Sequence, residues 1–235
     1  MDPDTRDGVW DSGRSCVNWL MARCRGLARR FWRIASSGMN RWGSPGARSE
    51  ERFVGLLSLI RRGRHERVGF ELYCAAVAAA REPFLYTGLG VPDTLDGRFD
   101  MVGLHTFLLI QRLKREPAPG PALAQAVFDA MFSDMDINLR EMGVGDLSVG
   151  RKVRIMWEAF HGRAAAYAAA MSAGDMTALE AALDRNVWRG NPPPDGPARA
   201  LRRAMLAQEA HLATQTLEAL GRGTVDFLSA EEASR

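Results

Sequence analysis

The spacing of apolar residues in the second half of the chain limits its possible folds more than any other feature. Between residues 149 and 171 these residues recur in steps of three or four, which is the repeat of one face of an α-helix. The alternation typical of half-buried strands is not evident anywhere in the sequence. The pattern predicts a helix over about 148–172 with this buried stripe: Val149, Val153, Met156, Phe160, Ala164, Tyr167 and Met171.

Similar stripes, separated by Gly- and Pro-rich segments, predict helices along the rest of the chain. The 34 alanines favour close helix packing. We therefore expect an all-α fold, a single bundle-like domain of about six to eight helices. The helix near 98–115 is apolar on nearly all sides and is expected to be central and buried. Predicted helices begin at Ser49 and near Glu66, and others cover about 98–115, 121–142, 148–172, 175–186 and 198–220.

The net charge of +3 is unevenly distributed, with −3 over residues 1–13, +8 over 14–48 and −2 over 49–235. We therefore predict a basic Arg/Trp-rich extension over 1–48, a helical domain over 49–222 and a C-terminal tail over 223–235. Alternating aromatic and arginine side chains suit an anionic membrane surface or RNA phosphate. The slightly acidic helical domain does not favour nucleic-acid binding, so no specific DNA partner is expected. The tether candidates are Trp19, Arg23, Arg29, Arg30, Trp32 and Arg33.

Cysteine content and hydropathy bear on the compartment. Three cysteines are an odd and sparse set, which indicates a reducing compartment. The most apolar stretches are about ten residues long, short of the roughly 20 that a membrane-spanning helix needs. We expect a cytoplasmic protein without a membrane span.

Candidate chemical groups are few. Glu158 and His161 have the Glu-x-x-His spacing of di-iron bundles, but the motif occurs once and its helical wheel directs it away from the apolar stripe. We predict no metal, no cofactor and no catalytic residue. His105, in an apolar helix, is either a core histidine or part of a buried network with an acid from a neighbouring helix.

One face of the predicted helix over 121–142 is polar. Asp129, Asp136 and Arg140 share it, with Asp136 and Arg140 at the i,i+4 spacing of an ion pair. This is either a solvated face or an acidic surface for a partner. Gly143 and Gly145 follow as an expected helix stop.

Several segments between about residues 50 and 190 combine into a recognisable pattern. They are residues 72–77 with 81–84, Val-Pro-Asp-Thr-Leu-Asp-Gly-Arg-Phe at 91–99, residues 128–136, 139–146 and 159–163, and the single residues His105, Arg112 and Asn186. Together these segments resemble the ubiquinol–cytochrome c chaperone family in its alphaproteobacterial form. The resemblance does not extend to residues 1–48.

The resemblance implies a non-enzymatic assembly chaperone for the bc1 complex. Its expected client is newly made cytochrome b, and its expected location is the cytoplasm, peripheral to the inner membrane. Mitochondrial relatives act near the ribosomal exit tunnel, so the ribosome is a further expected partner. Two alternatives stay open, a ribosome- or membrane-tethering protein acting through its basic extension and a helical-bundle metal enzyme. The candidate residues for client or partner binding are His105, Asp129, Phe132, Asp136, Arg140, Gly143, Gly145, Asp146 and Arg163.

Overall fold

The structure is a computed structural model that describes residues 50–194 and 196–235, with side chains from residue 63 onward. Within these residues it contains nine α-helices and no strand, which confirms the all-α prediction. Residues Leu56–Arg235 form one compact unit. The helices are α1 Glu50–Ala80, α2 Pro83–Thr87, α3 Leu95–Lys114, α4 Gly120–Glu141, α5 Asp146–Ala173, α6 Met176–Val187, α7 Pro197–Thr214, α8 Leu217–Gly221 and α9 Ala230–Ser234.

Helix α3 is the central element of the fold. Twelve of its 20 residues are buried, and it packs against α4, α5, α6 and α7. It begins at Leu95, about three residues earlier than predicted. The Thr94 hydroxyl accepts a hydrogen bond from the Gly97 N–H (3.1 Å), which caps the first turn. The prediction of a central buried helix is confirmed.

Helix α1 is continuous where the sequence predicts two helices, so that prediction is wrong. Gly63 lies at the predicted break and is exposed inside the helix. A single glycine costs a helix only about 1 kcal/mol, which packing further along readily offsets. At Gly69 the packing is close, because a Cβ placed there would lie 2.5 Å from the Ala126 Cβ of α4.

The helix predicted over 198–220 is interrupted at Gln215, which is extended. Thr216 starts the next helix, since its hydroxyl accepts from the Ala219 N–H (3.2 Å). The predicted single helix is therefore two helices, α7 and α8.

The segment predicted as a C-terminal tail lies along α7. Its backbone forms hydrogen bonds with two glutamine side chains that are seven residues apart. Each side-chain amide bonds both the N–H and the carbonyl of one residue in the segment. Gln208 accepts from the Leu228 N–H (3.0 Å) and donates to its carbonyl (2.6 Å). Gln215 makes the same two bonds with Asp226, at 2.9 and 2.6 Å. Helix α9 then packs against α7 and α2.

Membrane-spanning helices are not found in the described part of the chain, where no helix combines the necessary length and apolar character. The extension predicted over 1–48, with its six tether candidates, lies outside the described residues.

Candidate functional site

Two glycines form the turn between α4 and α5. Gly143 has φ of +80°, in the left-handed region, and directly follows the last turn of α4. The Val144 N–H donates to the Leu139 carbonyl (3.1 Å), which closes the helix end. Gly145 is extended and precedes the first residue of α5. The turn brings α5 back against α4.

Arg140 ties this turn together through two carboxylates. Its Nε lies 2.6 Å from Oδ2 of Asp136, one turn earlier in α4, as the i,i+4 spacing predicts. Its Nη1 contacts Oδ1 of Asp146, the first residue of α5. Both carboxylates raise the pKa of Arg140 above its ordinary value, with the hydrogen bond from Asp136 as the largest cause. We call Asp136, Arg140, Gly143, Gly145 and Asp146 the acidic corner.

Asp129 extends the acidic surface along α4. It is exposed, and its Oδ1 accepts from the Gln125 amide (2.8 Å). Asp134 lies on the other side of the helix, where the Tyr73 hydroxyl donates to it (2.8 Å). Burial raises the pKa of Asp134. The acids on α4 therefore divide into a solvent-facing set and one that fastens α4 to α1.

Aromatic side chains fill the contact between α4 and α5. Phe132 is partly buried, with its ring centroid 4.8 Å from that of Phe128 and 6.1 Å from that of Phe160. Phe128 also lies 5.9 Å from Phe160. Edge and tilted geometries of this kind add to the stabilisation from burial. The candidate Phe132 thus belongs to an interhelical cluster next to the acidic corner.

Large apolar side chains are exposed mainly on this side of the molecule. Of the five such residues in the described chain, four lie at the end of α4 or in the first half of α5, namely Met142, Leu147, Ile155 and Trp157. Leu147 is fully exposed, and Trp157 is 45% exposed. Arg151, Lys152 and Arg154 are interspersed with them and are also exposed. We call the exposed residues from Leu147 to Trp157 the outer face of α5.

Asp100 is a buried carboxylate that the sequence analysis did not select. Its side chain, in the central helix α3, is only 2% exposed. Arg163 of α5 forms an ion pair with Oδ1, and Arg189 lies 2.9 Å from Oδ2. Arg163 also lies over the Phe99 ring, 5.7 Å from its centroid. The candidate Arg163 therefore pairs with Asp100 in the core.

The surroundings of Asp100 shift its ionisation. Burial raises its pKa from 3.8 to about 6, although the two arginines act in the opposite direction. Arg189 has a positive φ of 56°, which is costly for a residue with a Cβ. The available sequence signal was a lone acid within the otherwise apolar run of α3. The partners could not be identified in the same way, since Arg163 lies on α5 and Arg189 lies in the segment after α6.

His105 is a core residue of α3. Its Nδ1 lies 2.8 Å from the Met101 carbonyl, and its ring meets the edge of Phe227 at 5.7 Å. Burial lowers its pKa, so the ring is neutral near pH 7. The sequence analysis left two alternatives for His105, a core histidine or a member of a buried network with an acid. The structure agrees with the core histidine. Any part of His105 in binding stays a prediction.

Glu158 and His161 lie on the exposed side of α5, as their helical wheel predicts. Glu158 accepts from Arg154 (2.9 Å), and His161 stacks on Trp157 with ring centroids 3.9 Å apart. Among the described residues no group of three or more His, Cys, Asp or Glu side chains is arranged to hold a metal ion.

This chain is similar to known proteins over much of its length. A family model described as ubiquinol-cytochrome C chaperone matches residues 87–227. The Xenopus laevis protein called ubiquinol-cytochrome-c reductase complex assembly factor 1 is 28% identical over 97 residues, or 41% of this chain. The match covers 48% of that relative, about half its length. The crystal structure of the Cbp3 homolog from Brucella abortus is 36% identical with a TM-score of 0.65, covering 75% of this chain and 98% of that chain.

Proposed function

This chain belongs to the ubiquinol-cytochrome C chaperone family, and from that membership we propose that it is a non-enzymatic assembly factor for the bc1 complex that binds newly made cytochrome b. The family match, which spans α3 to α8, is the observation that carries the proposal. Such an action needs a surface for an apolar membrane protein and no catalytic group. We expect it to take place at the cytoplasmic face of the inner membrane.

The exposed side of α4 and the acidic corner are the proposed client surface. This stretch carries four acids, Asp129, Asp136, Glu141 and Asp146, and one arginine, Arg140, which pairs with Asp136 and Asp146, so the local charge is negative. Loops of membrane proteins on the cytoplasmic side carry an excess of Lys and Arg. An acidic surface attracts such loops and orients the client during encounter.

Phe132 supplies the apolar part of this surface. Its ring is partly exposed beside Phe128, while Phe160 supports it from α5. Aromatic anchors next to polar groups dominate the energetics of many interfaces. His105 and Arg163 have a different proposed role, which is to keep α3 in register with the C-terminal segment and with α5.

The first test is genetic. Deleting the gene is expected to lower the content of bc1 complex while the cytochrome b transcript persists. Normal bc1 content in the deletion strain would contradict the proposed function. Affinity capture of the full chain from detergent extracts is expected to recover cytochrome b.

The second test concerns the surface. The charge reversals Asp129→Lys and Asp136→Lys are expected to reduce captured cytochrome b about tenfold, since rim charges mainly govern encounter. Glu218→Lys is the matched control, because Glu218 of α8 is an exposed acid that pairs with Arg222, four residues later. Equal loss of capture in the control would show a general charge effect and remove the assignment to α4.

A second candidate function is tethering to the ribosome or to an anionic membrane through the basic extension. It is favoured by the charge of +8 over residues 14–48. Replacing Arg23, Arg29, Arg30 and Arg33 with Gln in the full chain is expected to reduce co-sedimentation with ribosomes or vesicles. Unchanged co-sedimentation would reject this role. The four substitutions are expected to leave the binding of cytochrome b by the helical domain unaffected.

A further inference from the structure

The outer face of α5 combines large apolar and cationic side chains on a short length of helix. Leu147, Ile155 and Trp157 are all exposed. They lie within eleven residues, or about 15 Å along the helix axis. Met142, half exposed at the end of α4, adds a fourth apolar side chain close by in the chain. Leaving this much apolar surface in water is unfavourable, so a surface of this kind normally has a partner.

The cations on this face largely lack acidic partners. Arg154 pairs with Glu158, at 2.9 Å. Among the described residues no acidic group forms an ion pair with Arg151 or Lys152. Asp146, the acid next to Leu147 in the chain, is already paired with Arg140. The face is therefore complementary to negative charge.

The shape of this face distinguishes between partners. Gly150 lies among these side chains and Gly162 lies beyond Trp157, and a Cβ added at either would have no atom within 4 Å. At these two positions the side of α5 is therefore open, with no other described element close enough to contact it. A single apolar helix binds best in a groove, whereas a convex helix side lies well on a planar surface.

We propose that the outer face of α5 is a contact surface for an anionic phospholipid bilayer. Leu147 and Ile155, which share one side of the helix with Arg151, enter the interface between headgroups and acyl chains, and Trp157 lies at the flank of this side. Arg151 and Lys152, which have no acidic partner among the described residues, extend their long side chains to the lipid phosphates. This surface belongs to the folded domain and is separate from the basic extension. The proposal goes beyond cytochrome b binding and does not depend on it.

The test is co-sedimentation of the full chain with vesicles of phosphatidylcholine, with and without phosphatidylglycerol. Two double variants separate the contributions, the charge variant Arg151→Glu with Lys152→Glu and the apolar variant Leu147→Ser with Ile155→Ser. Each is expected to weaken binding to the anionic vesicles by about tenfold or more. Binding to pure phosphatidylcholine should be weak for all proteins.

The matched control is Leu95→Ser with Lys114→Glu, which changes one exposed apolar residue and one exposed cation at the two ends of α3. It is expected to bind as the wild type does. Thermal unfolding should show that all variants remain folded, since every substituted side chain is exposed. Wild-type binding by both α5 variants would overturn the proposal.

A third result distinguishes the bilayer from the client. If the α5 variants keep full vesicle binding but lose capture of cytochrome b, the outer face is a client surface and the lipid proposal is wrong. Conversely, reduced vesicle binding with normal capture supports it. Failure of the proposed function, seen as normal bc1 content in a deletion strain, does not affect this comparison.

Discussion

The guanidinium of Arg163 in α5 forms an ion pair with the carboxylate of Asp100, which is buried in the central helix α3. Arg189, which follows α6, reaches the same carboxylate from a third part of the chain. One side chain thus joins α3, α5 and the segment after α6. Burial of a charge is costly, and two opposite charges compensate for part of the cost.

Asp100→Asn is predicted to change the pH dependence of stability. The ordinary pKa of the carboxyl is 3.8, and in the fold it is about 6, so the folded protein holds this proton more tightly. The contribution of Asp100 to stability is therefore largest in acid, below about pH 4, and declines as the pH rises through about 6. Relative to the Asn variant, the wild type should lose up to about 3 kcal/mol between about pH 4 and pH 7. Urea denaturation measures this difference.

The control for this prediction is Asp129→Asn, at an exposed carboxylate held by Gln125. A difference between wild type and the Asp100 variant that is constant with pH would contradict the assigned ionisation of Asp100.

Gly69→Ala is predicted to destabilise the fold. The added Cβ would lie 2.5 Å from the Ala126 Cβ, so α1 and α4 must move apart. Overpacking of this kind costs about 1–3 kcal/mol, more than the helix propensity that alanine gains. Gly63→Ala, in the same helix with nothing within 4 Å, should instead stabilise by about 0.5–1 kcal/mol. Denaturation midpoints of the two variants should move in opposite directions, and a shared direction would refute the close packing.

Gln208→Ala is predicted to loosen the C-terminal segment. Gln208 is buried, and its amide satisfies both backbone groups of Leu228. Its removal should cost about 1–3 kcal/mol, because buried polar groups then lack partners. Faster hydrogen exchange at the Leu228 amide would reveal the loosening. Gln125→Ala, at an exposed glutamine, provides the comparison, and unchanged protection at Leu228 would rule out the role of Gln208.

Gly143→Ala and Gly145→Ala are predicted to differ, although both positions are open to solvent. Gly143 has φ of +80°, which alanine adopts at a cost of about 1 kcal/mol. Gly145 has φ of −61°, which suits any residue, so alanine there should bring no backbone strain. Thermal unfolding separates the two, and equal effects would argue against the left-handed turn.

The spacing of apolar residues predicted a helix correctly where a single buried face defines it. The stripe on α5 is a case, since Val149, Phe160 and Tyr167 are buried as expected. The break predicted near Gly63 failed because one glycine does not outweigh packing along the rest of α1. The Glu158–His161 pair was correctly excluded from the core by the same wheel that identified the stripe.

Contacts between residues far apart in the chain could not be predicted from local sequence patterns. Asp100 was visible as an acid in an apolar run, but nothing local indicates that its partners are Arg163 and Arg189. The same holds for Gln208 and Leu228, which meet only after the chain has turned through α8. Such contacts depend on tertiary placement, and a chain with many arginines offers many equivalent candidates.

The contacts of the C-terminal segment with α3 affect when the protein can finish folding during its synthesis. The Arg112 side chain in α3 donates to the backbone of Leu212, 100 residues later, and the His105 ring is covered by Phe227. While the ribosome is still adding α7, the central helix therefore remains without its last covering. The protein cannot reach its final packing during its own translation until that segment has emerged.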